Sequence, residues 1–526
     1  MGASLNDCPT TTPLVVRPEH RQFRGVLIET TCVPYCALST LSGITAPGAR
    51  QLHPLPMPAC DFKPDSYQGW PYDALMRVRK EKMSPFTVSY YQQPLLLHQG
   101  HMQWLWDGQG RRYLDFFGGI VTINIGHCHP KVTAAAEAQL RRLCHTTNIY
   151  LHPPLYEYIE QLTALLPNPL KVVFLVNSGS EANDLAMLLA QTYTGNHHII
   201  TLSGGYHGGT ISATGLTSIS SYKYNISANT NCHPAMCPDV FRGIWGGSHC
   251  RDSVVQTLRS CSCTADRCHA RDQYINQLHN TLLSAVPKAI AAFIAEPIQG
   301  VSGTVQYPKG FLKEVAEIIR ERGGLYISDE VQTGFGRLGS HYWGFQSHGV
   351  VPDIVTMAKG IGNGFPMGAV VTTPEIAASM SEATTFNTFG GNPVACTIGS
   401  TVLKVIEEES LMENCLTLGN RLLLGLEKLR QEFEIVGDVR GKGLMVGMEM
   451  VDSRDTQKPL PAQEMNHIWE DCREMGLLLG KGGMYGQSFR IKPPMCITKE
   501  DVDFALSVCR VALEKQTTRR LQTVSP

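Results

Sequence analysis

Five short apolar runs recur through the middle of the chain, at Val172–Val176, Ile199–Leu202, 291–295, 325–328 and Ile354–Met357. Helix-like stretches such as 181–191 and 313–322 lie between them, with glycine turns at the joins. No other feature constrains the fold as tightly. Short β-branched runs separated by helices read as strands joined by crossovers, hence an α/β protein with a mostly parallel sheet flanked by helices. In such sheets ligands bind at the carboxyl ends of the strands, so the polar residues closing the runs are the first candidates for chemistry. Asp329 closes the fourth run and Lys359 the fifth. An acid and an amine on one sheet edge can grip a single small molecule from two sides. Pyridoxal phosphate needs that pair: a lysine amine for its aldehyde, and a carboxylate that keeps its pyridine nitrogen protonated so that the ring accepts electrons. A unit opposite charge near 4 Å is worth about 4 kcal/mol at an effective dielectric of 20, roughly three units of ring pKa.

The turns after the other runs supply companions. Asn177-Ser178-Gly179-Ser180-Glu181-Ala182-Asn183 follows the first run and opens a helix. A helix N-terminus with free N–H groups and small hydroxyl side chains is an anion site, which assigns a phosphate to Gly179 and Ser180 with Ser178 beside them. Serine and glycine followed by glutamate are also the pattern of an ordinary capped helix. Tyr206-His207-Gly208 follows the second run across Gly204-Gly205, and Tyr206 is the candidate to stack on a flat ring. His207 stands on the same edge, although a lone histidine is more often structural. Glu296 ends the third run, and Val331 and Gln332 follow Asp329. Val331 is expected to pack on the ring and Gln332 to donate to its phenolic oxygen.

Charge and hydropathy exclude other classes. With 45 basic and 46 acidic residues there is no basic field for nucleic acid, and no run of eighteen apolar residues could span a bilayer. Gly334-Phe335-Gly336-Arg337-Leu338-Gly339 matches a dinucleotide fingerprint letter for letter, but no helix is expected to open there. His127-Cys128-His129 reads as a turn rather than a metal site, because Pro130 follows at once. The chain has 17 cysteines, six of them (Cys232, Cys237, Cys250, Cys261, Cys263 and Cys268) in one stretch with His233, His249 and His269. Their spacings do not reproduce a zinc ribbon, so thiols without a metal are expected, with structural zinc as the other reading. No signal peptide precedes the sequon at Asn225, which carries little weight.

Organisation changes along the chain. Residues 1–75 hold scattered Pro, Thr and Arg without periodicity and read as an extension, either a mitochondrial presequence or one with no address, since Asp7, Glu19 and Glu29 spoil a presequence pattern. Residues 76–125 are expected to begin a smaller domain, 126–390 to form the large domain, and 222–271 to be an aperiodic insertion on it. From Gly391-Asn392-Pro393 onward, amphipathic helices (394–408, 412–433) and short strands (444–450, Ser488–Ile491) predict a smaller α+β domain over 391–515, followed by a tail at 516–526.

The strand-end aspartate, Lys359-Gly360-Ile361-Gly362-Asn363-Gly364-Phe365-Pro366 and Ser178-Gly179-Ser180-Glu181-Ala182 together resemble the class III pyridoxal-phosphate-dependent aminotransferases over about residues 76–515. Pro94-Leu95-Leu96-Leu97-His98-Gln99-Gly100-His101-Met102, Cys237-Pro238-Asp239-Val240-Phe241-Arg242-Gly243 and Gly339-Ser340-His341-Tyr342-Trp343-Gly344-Phe345 are similar to that family's mitochondrial alanine–glyoxylate branch. The resemblance implies fold type I in a homo-oligomer, dimer or tetramer. It implies Thr388 on the phosphate of a neighbouring subunit's cofactor, and Arg490 on a substrate carboxylate. It also implies transfer from alanine to glyoxylate, with β-alanine, 3-aminoisobutyrate and methylated arginines as further donors. An ornithine or 4-aminobutyrate aminotransferase is the alternative within the family, and a zinc-stapled binding protein without catalysis is the alternative outside it. Where relatives read Phe-Phe-Ser-Gly-Ile, this chain has Gly118 in place of the serine.

Overall fold

The computed structural model describes residues 53–524, apart from 88, 227–230 and 265–266. The larger part of the expected extension and the serine of the sequon lie outside the described residues. Seven strands make the central sheet: β1 (Val172–Val176), β2 (Ile199–Leu202), β3 (Cys232–Ala235), β4 (Ala292–Ala295), β5 (Leu325–Asp329), β6 (Ile354–Met357) and β7 (Gly368–Thr372). Their order is β1-β7-β6-β5-β4-β2-β3. The pairings among β3, β2, β4, β5 and β6 are parallel, while β7 runs antiparallel to both β1 and β6. The interior strands β2, β4, β5 and β6 are buried along their whole length, the reason they appear in the sequence as unbroken apolar runs.

Two strands escape the sequence pattern. β3 falls inside the stretch expected to be an aperiodic insertion, and its Cys-His-Pro-Ala carries no strand signal. It occupies the sheet's edge, where Pro234 needs no outer partner and β2 alone supplies the pairing. β7 pairs with β1 through Gly368↔Val176 and with β6 through Ala369↔Met357, which closes the edge beside Lys359.

Helix Gly179–Thr194 starts where Ser178 Oγ accepts the Glu181 N–H at 3.2 Å and stops at Gly195, whose φ of +66° no other residue type adopts as freely. Helix Phe311–Glu321 turns Phe311, Leu312, Val315, Ala316 and Ile319 onto the sheet. Two smaller sheets complete the unit. Leu97–His101, Trp104–Asp107 and Arg112–Asp115 form an antiparallel meander that Leu477–Leu478 joins in parallel. Val436–Lys442, Met445–Met450, Ser488–Ile491 and Gly480–Gly482 form the other. Helix Lys499–Val524 runs on through the residues expected to be a tail, since Ala512, Leu513 and Gln516 are buried against the body of the protein.

Asp438 ties the segment after β3 to the last sheet. Its carboxylate accepts from Arg251 at 2.7 and 3.0 Å, from Arg440 at 3.0 Å and from Arg430 at 3.4 Å, all of them buried. Burial alone would raise this carboxyl, but Arg251 and Arg440 hold it below the usual range. Asp438→Ala leaves three buried guanidinium groups without their shared anion. A loss of about 3–5 kcal/mol is expected, read as a lower midpoint of thermal unfolding.

Candidate active site

The parallel strands bring the ends of β2, β4, β5 and β6 to one sheet edge, with the start of helix Gly179–Thr194 beside them. There they enclose a cavity of about 170 Å³ lined by Gly179, Ser180, Asn183, Tyr206, His207, Gly208, Glu296, Asp329, Val331, Gln332, Ala358 and Lys359. Of the twelve residues singled out from the sequence, nine line it. Ser178, Thr388 and Arg490 do not.

Asp329 is the anchor. Its Oδ2 accepts from His207 Nδ1 at 2.8 Å and from Asn183 Nδ2 at 2.9 Å, and its Oδ1 accepts from the Val331 N–H at 3.1 Å. Burial would raise the carboxyl, but the bonds and charge from His207, then Asn183 and Val331, hold it below the usual carboxylate range. The backbone of His207 is fixed in turn, its amide N–H donating to Thr217 Oγ1 at 2.9 Å. Glu296 behaves in the opposite way. Burial and the neighbouring Asp329 push it up, although it accepts from Gly300 N–H at 2.8 Å and Tyr206 N–H at 3.2 Å.

Lys359 starts a tight turn at the end of β6 with φ +52°, a left-handed conformation that costs a non-glycine residue on the order of 1 kcal/mol. Asn363 holds that turn. Its Oδ1 accepts from the backbone of Asn124 and Ile125 at 2.8 and 3.0 Å, and its Nδ2 donates to Gly126 O at 2.8 Å. Burial lowers the pKa of the Lys359 amine below that of an ordinary lysine, while Asp329 and Glu296 pull it back part of the way. The amine therefore reaches its neutral, nucleophilic form more readily.

The phosphate end is built by close approach. Ser180 Oγ accepts the Gly209 N–H at 3.1 Å, and a Cβ on Gly208 would lie 2.6 Å from that oxygen. Gly208 also has φ +137°, so only glycine fits there without strain. Ser178 Oγ is spent on the helix cap. Val331 packs on Gly179, where a Cβ would meet its methyls at 3.2 Å. This set suits pyridoxal phosphate: a helix N-terminus for the phosphate, a carboxylate held ionised, an amine held toward neutrality, and an aromatic and an aliphatic side chain lining the same cavity.

Asn183 and Lys492 were missed from the sequence. Asn183 lies four residues after Gly179 and so on the same helix face, a signal that could have found it. Lys492 Nζ donates to Gln332 Oε1 at 2.9 Å and so orients the amide. It lies two residues beyond Arg490, on the same side of an extended segment.

Arg490 stands in a second cavity, of about 240 Å³, with Tyr90, Tyr222, Trp469 and Lys481. Its Nε and Nη2 are buried and without a partner among the described residues, and its guanidinium lies 5.3 Å from the centre of the Phe117 ring. Tyr222 joins the two cavities by an edge contact with Tyr206, centroids 5.0 Å apart. Thr388 sits on an exposed loop that Asn387 ties to Asn177 and Glu181 at the start of the helix. Gly118 has φ +56°, and a Cβ there would meet the Lys492 and Ile123 carbonyls at 3.0 and 3.1 Å, which accounts for glycine at that position. Among the decoys, the Gly334–Gly339 run opens no helix, and His127 and His129 bond apart, to Asp115 and Glu409.

The family model of the class-III aminotransferases matches residues 86–513. The human mitochondrial alanine–glyoxylate aminotransferase 2 is 60% identical over 489 residues, 93% of this chain and 95% of the relative. Among solved structures, a phospholyase from Arthrobacter in complex with phosphoethanolamine is 33% identical with a TM-score of 0.75, covering 84% of this chain and 99% of its own. An amine transaminase from an uncultivated Pseudomonas species, in its PLP-bound form, is 28% identical with a TM-score of 0.74, covering 86% and 99%.

Gly208→Ala drives a methyl into Ser180 and forces a strained backbone. Binding of pyridoxal phosphate, followed by absorbance during titration of the apoprotein, is expected to weaken roughly 5- to 150-fold, a cost of about 1–3 kcal/mol.

Proposed function

The chain belongs to the class-III aminotransferases, and from that premise we propose that it binds pyridoxal phosphate at Lys359 and moves an amino group from alanine to glyoxylate, giving pyruvate and glycine. The observation that carries the reading is the junction of the two cavities: an amine held toward neutrality beside an ionised carboxylate, next to a buried guanidinium lacking an anion. The name of the human relative supplies the substrate pair and supports mitochondrial localisation.

When bound, pyridoxal phosphate supplies an aldehyde that takes up an amino group and a protonated ring that accepts the electrons of a deprotonated carbon. The roles of the chain's own residues follow from their placement. Gly179 and Ser180 hold the phosphate at the helix N-terminus, and Asp329, braced by His207 and Asn183, keeps a proton on the ring nitrogen. Tyr206 and Val331, which line the cavity, would flank the ring, and Gln332, its amide oxygen held by Lys492, would donate to the ring's phenolic oxygen. Glu296 holds the wall of the cavity by accepting from Tyr206 and Gly300. Lys359 Nζ carries the cofactor between turnovers and moves the proton off the amino-bearing carbon of the donor. Arg490 holds the carboxylate shared by alanine, glyoxylate and both products, which fixes that carbon toward Lys359.

The same guanidinium and the aromatic walls of its cavity suit β-alanine, 3-aminoisobutyrate and methylated arginines as further donors. The site is completed in a homo-oligomer, a dimer or tetramer, in which Thr388 reaches the phosphate of a neighbouring copy.

A panel of donors and acceptors tests the reading. Alanine with glyoxylate is expected to give pyruvate and glycine at the highest rate; turnover with ornithine or 4-aminobutyrate but none with alanine would overturn it. Lys359→Ala is expected to lose both the absorbance band of the bound cofactor and turnover. Arg490→Ala removes a charge-assisted pair worth about 1.5–3 kcal/mol, so kcat/KM for alanine is expected to fall roughly 10- to 100-fold.

A further inference from the structure

We propose that Cys250, Cys261, Cys263 and Cys268 bind one zinc ion that staples the segment between β3 and helix His269–Ser284. Their spacing in sequence, with ten residues, one residue and four residues between successive cysteines, matches no ribbon, and for that reason the thiols were expected to be without metal. The fold brings Cys250, Cys261 and Cys263 into one group regardless, with Cys268 beside Cys263. The sulfurs of Cys250, Cys261 and Cys263 lie within 4.8 Å of one another, with Cys250 and Cys263 3.6 Å apart, and Cys268 Sγ is 3.8 Å from Cys263 Sγ. Four thiolates at about 2.3 Å from a tetrahedral zinc stand roughly 3.8 Å apart, the spacing found here along the edges from Cys263 to Cys250 and Cys268. A disulfide would need sulfurs about 2.05 Å apart.

Cys268 stands immediately before helix His269–Ser284, and its side chain makes no capping hydrogen bond there. His249 Nδ1 lies 3.8 Å from Cys261 Sγ. The helix N-terminus beside Cys268 offsets part of the charge of a four-thiolate site. Gly247 admits Cys261 to the cluster, for a Cβ there would lie 2.3 Å from that of Cys261. The two other thiols of the region stay apart, Cys232 in β3 and Cys237 beside Gln299 at 3.3 Å.

The segment also has a need for such a staple. Between Ala235 and His269 the described residues form no helix or strand, far longer than loops that hold a shape by themselves. Yet this segment positions Arg251 on Asp438 and sends Arg259 to the carbonyls of Phe241 and Gly243 at 2.8 and 2.7 Å. A soft, all-sulfur set selects zinc among the metals that take tetrahedral sites without redox change, and the four thiol protons leave to solvent as the ion binds.

Elemental analysis of the holoenzyme, purified with a reductant and without chelator, tests this. One zinc per chain is expected, together with unchanged pyridoxal phosphate content. Cys261→Ser, at a partly exposed position, is expected to lose the zinc, whereas Cys144→Ser, at an exposed cysteine outside the cluster, keeps it. After chelation, titration of the wild-type protein with cobalt(II) is expected to give the thiolate charge-transfer and tetrahedral d–d bands at one equivalent, a readout that does not require any variant to fold. Absence of zinc and of those bands, iron in its place, zinc retained in Cys261→Ser, or the four thiols recovered as two disulfides would each overturn the assignment.

Discussion

An ionised carboxylate in a buried cavity is the constraint on which the site depends. Left to burial, Asp329 would be pushed toward its protonated form and, on the proposed reading, lose its hold on a ring nitrogen. Three donors prevent this, and each comes from a different element: His207 from the turn after β2, Asn183 from helix Gly179–Thr194, and the Val331 N–H from the turn after β5. In this buried place the carboxylate is therefore held below its usual range only when the sheet and the helix are both in place. Glu296, one strand away, lacks such donors from charged groups and is pushed the other way. Two acids on adjacent strand ends are thus pushed in opposite directions, by their neighbours rather than by their chemistry.

That dependence explains which parts of the architecture the sequence reveals. Strands buried on both faces must be apolar throughout, so β2, β4, β5 and β6 are visible as runs, and the polar residue closing each run marks the sheet edge. β3 is invisible because an edge strand needs only one partner and tolerates Pro234. In the sequence the roles of Arg490 and Thr388 rest on resemblance alone; nothing in their local pattern separates them from surface residues. Asn183 and Lys492 act through Asp329 and Gln332, and residues that act through others leave no motif, only a shared helix face or strand side. The four cysteines are the extreme case, since a loop without periodicity brings them together and local spacing says nothing of it.

The segment after β3 connects distant parts of the molecule. Arg251 reaches Asp438, Arg440 shares that carboxylate, and Arg440 Nε donates to the carbonyls of Gly303 and Thr304 at 2.9 and 3.1 Å, in the loop that follows Glu296. Arg440 also pairs with Glu449, on the strand Met445–Met450 that lies beside Ser488–Ile491. The strand bearing Arg490 and the loop behind Glu296 are therefore held to one network of buried charges. Paired charges of this kind contribute little net stability, but breaking any member exposes the rest to the full cost of desolvation.

Charge balance around the two cavities points to the ligands they take. Burial lowers Lys359, Arg490 and Lys492 alike, and the charge of Arg490 lowers both lysines further, while Asp329 is held below the usual carboxylate range and burial pushes Glu296 up. The charge that persists is that of Arg490, whose guanidinium keeps its proton even when buried. A buried cation with unpaired donors favours a carboxylate over a neutral ligand by the desolvation cost already incurred in folding. On the proposed reading, a substrate held there at its carboxylate would present its next carbon to Lys359 past the contact between Tyr222 and Tyr206. Placing the anion demand in one cavity and the amine lowered by burial in the other would then favour small acids that carry the reacting group a short distance from the carboxylate.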